Sequence, residues 1–527
     1  MDTKLSNKQF LDGKVQSRNL QDRELQDRKL QDRKLLDEKL VQVRPAERQI
    51  RHQQMEFYGF VHFTVNTFTG KEWGDGTESE SIFAPSELDA GQWARAAKAA
   101  GMTGLILTCK HHDGFCLWPS AYTTHTVANS PYRGGKGDVV RELSDACREQ
   151  GLKFGVYLSP WDRNCQVYGQ GTAYDDYFVA QLTELLTGYG PVFCVWFDGA
   201  CGEGPNGKKQ VYDWERYYRT IRELQPDACI SVSGPDIRWC GNEAGDTRPS
   251  EWSVVPGTIF DQRKITENSQ QADDTAFRDR KLSDTDKDLG SRSVMETAER
   301  AIWYPAEVNT SIRPGWFYHE EEDDKVKSLE ELQSVYLRAV GGNATFLLNI
   351  PPDKRGLFHE TDETRLRELG EWIHGTFDRK KNLADTAMLI ADCAKSGHGI
   401  EGVLTDSYDT FWQPQAKDTE EDCPEAFPSK PFEIELRWKE VQEIRYLVLK
   451  EAIPMSQRVE QFEVLSRENL SEKQELPSWK VIAAGTTIGY QKIVAFPKPV
   501  KTACLKIRIT DSRMEPTISY LGVFSGR

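Results

Sequence analysis

The chain has 527 residues, too many for one ordinary hydrophobic core, so two domains and a tail are expected. Its formal net charge is −15, and a surface of that sign repels phosphate backbones and anionic lipids. Neither nucleic acid nor a membrane surface is therefore expected as a partner. The opening "MDTKLSNKQFLDGKVQ" has no apolar core of a secretory leader, and no apolar run is long enough to span a bilayer. The 11 cysteines are scattered and never spaced as CxxC, which suits reduced thiols. The expected location is the cytoplasm, with export by another route left open.

Residues 1–44 differ in texture from the rest. The stretch "LQDRELQDRKLQDRKLLDEKL" repeats every five residues. A step of five turns an α-helix by about 500°, so successive leucines spiral around it instead of lining one face. A charged, poorly packed extension, disordered or helical, is the expectation, with no part in chemistry.

From residue 45 to about 378 short apolar runs alternate with helical patterns. "GFVHF" (59–63), "TGLILTCK" (103–110), "KFGVYLS" (153–159), "VFCVWFDG" (192–199) and "ACISVS" (228–233) read as strands. Between them lie helical stretches near 90–101, 138–151, 175–190 and 213–225, several ending at Gly. This is the signature of a parallel α/β sheet. No GxGxxG follows the first strand, and polar and aromatic residues gather after every strand, which favours a (β/α)8 TIM-like barrel over a dinucleotide-binding sheet. Residues 240–300 read as a long polar surface excursion, after which "RAIWYPAEVNTS", "SLEELQSVYLRAVGGN" and "ATFLLNIPP" complete the barrel. From 379 to 527 the helices vanish and apolar residues alternate at period two, the pattern of an antiparallel β-sandwich.

The strand ends carry the chemistry. The first delivers His62, the second His111 and His112, the third Tyr157 and then Trp161, the fourth Trp196 and Asp198. In a barrel these groups share one mouth. Asp198 ends an apolar strand, and an acid there needs a partner or a task. Helix capping is the bland alternative, but the next helix begins near Asp213, too far on for Asp198 to cap it. Adjacent histidines invite a metal reading, yet neighbours on a regular strand face opposite ways, and Cys109 and Cys116 match no common zinc spacing. No metal is expected. A histidine bonded to backbone in the core stays open for one of the pair. Imidazoles, indoles and carboxylates converging on one hollow suit a sugar, with rings against its C–H faces and polar groups on its hydroxyls.

The segments "HFTVNTFTGKEWGDGTE", "LTCKHHDGFCLWPS", "GVYLSPWDRN", "VWFDGA", "GPDIRWCGNEAG", "VNTSIRPGWFYH" and "GGNATFLLNIPPDKRG" resemble the retaining α-L-fucosidases of glycoside hydrolase family 29. The resemblance covers roughly residues 55–375, and "VLKEAIPMSQRVEQFEV" looks like the discoidin-type sandwich found behind that catalytic domain. It implies Asp198 as nucleophile and places His62, Glu72, Trp73, His111, His112, Tyr157 and Trp196 around fucose, with Arg238 a weaker match. Trp316 in "RPGWF" is expected to face the sugar methyl. The general acid/base lies among Glu203, Glu243 and Glu251. Glu203 sits in a Gly-rich loop; Glu243 is favoured, because it follows the indole of Trp239 and a low-polarity site would raise its pKa, with Glu251 in reserve. The loop holding Glu243 is read as the one after the fifth strand.

"GNEAG…EWSVVP" is similar to the branch that removes α-1,3/1,4-linked fucose from Lewis-type glycans. The expected partner is thus a fucosylated oligosaccharide or glycoconjugate, with no cofactor. A broad-specificity fucosidase, metal-dependent hydrolysis on the same barrel and a catalytically silent sugar-binding barrel are the alternatives. The sequons at Asn309, Asn343 and Asn469 are taken as chance, and the sandwich as either a brace or a sugar-binding module. The sequence gives no oligomeric state.

Overall fold

Gly-bounded apolar runs become the strands of the first sheet: β1 (Phe57–Val61), β2 (Gly104–Lys110), β3 (Lys153–Leu158), β4 (Cys194–Phe197), β5 (Cys229–Val232) and β6 (Arg238–Trp239). After an antiparallel ribbon of β7 (Val254–Pro256) and β8 (Ala301–Trp303) come β9 (Ala306–Ser311) and β10 (Ala344–Asn349). The computed structural model describes residues 25–270, 272, 274–278, 280, 282, 288–415, 431–467 and 478–526. Eight of these strands form one parallel sheet in the order β5-β4-β3-β2-β1-β10-β9-β6. The first and last strands in sequence, β1 and β10, pair directly, and a single bridge from Ser231 to Ile237 joins the β5 and β6 edges. The result is a nearly closed (β/α)8-type barrel.

Local chemistry sets the helices. Asp89 caps Ala90–Ala99, Asp138 caps Val139–Gln150 and Asp213 caps Trp214–Leu224, each carboxylate accepting a first-turn N–H. Gly151, at φ +68°, ends the second of these in the left-handed conformation. Ser328 and Glu331 form a reciprocal capping box for Leu329–Ala339. One crossover departs from the pattern: residues 233–237 join β5 to β6 without a helix. Parallel crossovers usually need about a dozen residues or more. Here the side chain of Asp236 substitutes for the missing ladder, accepting from the Ile230 N–H at 2.8 Å and pairing with Arg48 at 3.0 Å and with Arg222. The short β6 also corrects the strand count, because the loop bearing Glu243 follows the sixth strand, not the fifth.

The second sheet contains β11 (Met388–Ala391), β12 (Phe432–Glu451), β13 (Val459–Arg467), β14 (Lys480–Gly485), β15 (Lys492–Ser512) and β16 (Ile518–Phe524), all antiparallel. β12 and β15 are long strands whose register shifts between Arg437 and Gln442 and between Ile444 and Tyr446. Such irregularities bend a strand, so β12 pairs with β11 along one half and β16 along the other. Trp412, Leu436, Ile444, Phe462 and Leu505 fill the sandwich core between them.

Hydrogen bonds join the two domains. Gln457 of the sandwich accepts from the Ser253 N–H at 2.7 Å and donates to the Glu251 carbonyl at 3.2 Å, while Asn343 of the barrel donates to the same carbonyl at 2.8 Å. Lys450 of β12 pairs with Glu56, at the foot of β1, at 3.0 Å. The sandwich therefore braces the loop that follows β6.

Residues 25–40 are helical, and the leucine spiral is visible: Leu25, Leu30 and Leu35 are exposed, whereas Leu40 is buried against Val254, Met295 and Trp303. Asp37 is clasped by Arg292 at 2.7 and 3.0 Å. The end of the extension is better packed than its composition implies; its first part lies outside the described residues. Two sequons are closed to modification by burial: Asn309 accepts from the Trp239 indole, and Asn343 is bonded to Glu251 and Tyr490. Asn469 lies outside the described residues. No helix is long and apolar enough to cross a membrane among the described residues.

Candidate active site

The adjacent histidines face the same hollow because β2 is already irregular where it meets them. Its register against β3 shifts between Thr108 and Lys110, the strand ends at Lys110, and Gly114 at φ +80° closes a turn onto the His111 carbonyl. The two rings end 4.1 Å apart between centroids.

Each imidazole is aimed by its partner. His112 Nδ1 lies 2.7 Å from Ser159 Oγ, and that hydroxyl donates to the Trp161 carbonyl. Ser159 must then accept from Nδ1–H, which leaves a lone pair on Nε2, 3.9 Å from Asp198 Oδ2. His62 follows the same logic. Asn349 donates its amide to Ser311 and to the Trp316 carbonyl, so its Oδ1 accepts from His62 Nδ1 at 2.8 Å and Nε2 is again an acceptor. Burial pushes the pKa of His62 down to about 3 and that of His112 to about 4, and holds His111 low as well. All three are neutral at pH 7. His111 Nδ1 is buried without a hydrogen-bond partner among the described residues, and the residue borders the hollow.

Asp198 does not cap the following helix. Its Oδ1 accepts from the Ala200 N–H at 2.7 Å and its Oδ2 from the Tyr157 hydroxyl at 3.2 Å. Its side chain is 26% exposed, so one face remains open to the hollow. Glu243 borders the same hollow. Burial and the negative charge of Asp198 push its carboxyl up to about 7, against the pull of a hydrogen bond from the Trp316 indole at 3.1 Å. Glu72 is the anchor of that tryptophan: its carboxylate accepts from the N–H of Trp316 at 2.8 Å and of Phe317 at 3.2 Å, and meets His319 at 2.7 Å. These partners outweigh burial and hold its pKa below the usual glutamate value.

These groups line a single hollow. The sequence-derived residues His62, Glu72, Trp73, His111, His112, Trp196, Asp198, Glu243 and Trp316 all border it. Tyr157 stands one layer behind and reaches it through Asp198. Two expectations are displaced. Arg238 is buried in an ion pair with Glu251 and borders a neighbouring hollow instead. Glu251 is fully enclosed by Arg238 and Arg248, which hold its pKa low, so it is ill suited to donate a proton. Glu203 is exposed in its loop.

Other lining residues escaped the sequence reading. Phe60, Val232 and Asn309 come from β1, β5 and β9, and Ser269, Gln270 and Phe277 from the polar excursion. Polar Glu307, Asn309 and Ser311 at alternate positions of a buried strand were a signal for the inward face of β9. Nothing local marked Phe277, which stacks on Trp239 at 6.0 Å and 14°. Among the described residues no group of three or more His, Cys, Asp or Glu is arranged to hold a metal ion.

Comparison with known proteins agrees with this geometry. A family model described as Alpha-L-fucosidase matches residues 41–376, more than half of the chain. The chain belongs to the α-L-fucosidase family, glycoside hydrolase family 29. It is 37% identical to Alpha-L-fucosidase 1 of Arabidopsis thaliana over 485 residues, covering 91% of this chain and 87% of that one. Among family structures, a putative α-L-fucosidase from Bacteroides ovatus superposes with a TM-score of 0.77 at 42% identity, covering 93% of this chain and 76% of that one. A Ruminococcus gnavus family 29 fucosidase in complex with fucose matches with a TM-score of 0.77 at 28% identity, covering 92% and 95%. As an α-L-fucosidase of this family, the chain is a glycosidase whose barrel is followed by a β-sandwich.

Proposed function

We propose that the enzyme removes terminal α-L-fucose from α-1,3/1,4-linked, Lewis-type branched glycans by double displacement with retention. The observation that carries this reading is the pair of carboxyl groups, Asp198 and Glu243, on one pocket and in unlike surroundings. A retaining glycosidase needs one group that attacks and one that donates a proton.

In the proposed cycle fucose enters with its hydroxyls toward the Nε2 lone pairs of His62 and His112. Glu243, kept protonated near neutral pH, gives its proton to the glycosidic oxygen as that bond breaks. Asp198 attacks the anomeric carbon from the opposite face and forms a fucosyl ester. Glu243, now ionised, takes a proton from water, and the resulting attack on the anomeric carbon releases fucose and frees Asp198. Tyr157 and the Ala200 N–H hold the Asp198 carboxylate in line throughout. Trp73 packs edge-on against His112 at 5.2 Å and fixes that wall of the sugar site.

The linkage preference draws support from the mouth. Trp239 and Phe277 form an aromatic ledge there, and Trp239 and Val232 are shared with the larger neighbouring hollow. That gives a branched leaving group a ring to stack on and room beyond. The test is parallel digestion of Lewis a or Lewis x trisaccharide and 2′-fucosyllactose. Fucose released from the branched trisaccharides first is the expected result; equal or faster release from 2′-fucosyllactose overturns the linkage assignment and leaves the activity intact.

A further inference from the structure

We infer that Glu307, a carboxyl group in the barrel interior outside the pocket, is a positioning residue for hydrolysis: it locks the Trp196 indole and the strand end that delivers Asp198. The inference rests on the reading of Asp198 as nucleophile.

Glu307 lies on β9 and is fully buried. Its Oε1 accepts from the Trp196 indole at 2.8 Å, across the barrel on β4. Its Oε2 accepts from the Tyr58 hydroxyl at 2.5 Å, on β1, and that hydroxyl also meets His52 Nε2 at 2.9 Å and Thr345 Oγ1 at 3.1 Å. One side chain thus ties three strands together beneath the pocket floor. An indole N–H has no alternative but to donate, and among the described residues its acceptor is Glu307. With the N–H fixed, the ring cannot turn about χ2, and its free face forms a wall of the pocket.

The lock propagates to the reacting groups in two ways. The Trp196 ring packs against Tyr157 at 4.9 Å, and Tyr157 donates to Asp198, which stands two residues beyond Trp196, just past the end of β4. On the other side, the Glu307 backbone carbonyl accepts from the Cys240 N–H at 2.9 Å, at the start of the loop that carries Glu243. Glu307 therefore holds the floor from which both carboxyl groups rise.

The test compares three variants on an aryl α-L-fucoside, with thermal unfolding of each. Glu307→Leu strands the indole N–H, and kcat/KM is expected to fall by about 10- to 100-fold, mainly through kcat. Glu307→Gln keeps an acceptor toward Trp196 and offers a donor that the Tyr58 hydroxyl can accept while donating on to His52; it should retain activity to within about 3-fold. Tyr58→Phe loosens the network but spares the Trp196 bond, so it should lose Tm while keeping activity to within about 3-fold. A folded Glu307→Leu enzyme with near-normal kcat/KM overturns the inference, as does a Tyr58→Phe variant that loses as much activity as Glu307→Leu at equal Tm. Failure of Glu307→Gln alongside Glu307→Leu also counts against it. If the Leu variant does not fold, Glu307→Ala carries the same expectation and the same refuting result. Turnover that survives Asp198→Asn would instead strike the nucleophile reading itself, so the two failures are separable.

Discussion

The Trp316 indole donates to Glu243 at 3.1 Å while the backbone N–H of the same residue donates to Glu72 at 2.8 Å. One tryptophan therefore fixes the proposed acid and is itself held by a second glutamate. The indole bond favours the ionised form of Glu243; burial and the charge of Asp198 oppose it and win. A catalytic acid works while protonated, so activity is present below its pKa and lost as pH rises through it. The alkaline limb of kcat/KM against pH is expected near 7. Trp316→Phe removes the donor but keeps an aromatic wall, and the limb should move to higher pH. A limb that stays put or moves down would show that Glu243 is not the group being titrated.

Glu243→Gln cannot protonate a leaving oxygen. Its kcat/KM should drop by about 10²- to 10⁴-fold on natural glycans and far less on aryl fucosides with acidic leaving groups. Added azide, which needs no general base, should attack the β-linked fucosyl ester on Asp198, restore turnover and yield an α-fucosyl azide. If Glu251→Gln shows this behaviour and Glu243→Gln does not, the assignment of the acid is wrong.

Asp198→Asn leaves the shape of the pocket and removes the attacking oxygen's charge. Loss of turnover on the order of 10⁴-fold or more is expected. Binding of free fucose, followed by calorimetry, should survive. Activity close to that of the unmodified enzyme would remove Asp198 from the mechanism.

Ser159 fixes the tautomer of His112 by accepting from Nδ1–H. Ser159→Ala frees the proton to move to Nε2, where it would oppose the proposed sugar hydroxyl donor. KM is expected to rise by about 10-fold with a smaller change in kcat. A change confined to kcat would point to a role for His112 in the chemical step.

Gln457 reaches from the sandwich to both sides of Glu251, bonding the Ser253 N–H and the Glu251 carbonyl. Gln457→Ala strands a buried backbone donor, and a loss of about 1–3 kcal/mol in denaturant-measured stability should follow. An unchanged midpoint would mean that water replaces the amide and that the brace is weaker than its geometry suggests.

The barrel was legible in the sequence because each strand is a short apolar run and each helix carries its own cap or Gly stop, as at Asp138 and Gly151. The groups at the strand ends were legible for the same reason: a strand end is a local property. β6 was not, because two residues closed by the side chain of Asp236 leave no periodic pattern. Arg238 read as a sugar ligand from its motif, yet its partner Glu251 is set by how the loop folds back, which no spacing reveals. Phe277 lies in a polar stretch and acquires meaning only by stacking on Trp239.

By itself the sequence determined the barrel and sandwich and pointed to two carboxyl groups that the structure brings to one pocket, since hydrophobic period, capping and motif are written in neighbouring residues. Tertiary structure alone decided which carboxyl group is pushed up toward 7, which histidine nitrogen is left as an acceptor and that Glu307 ties β1, β4 and β9 together. Desolvation, charge proximity and hydrogen-bond direction depend on atoms brought together from strands far apart in the chain, and those distances exist only once the barrel has closed.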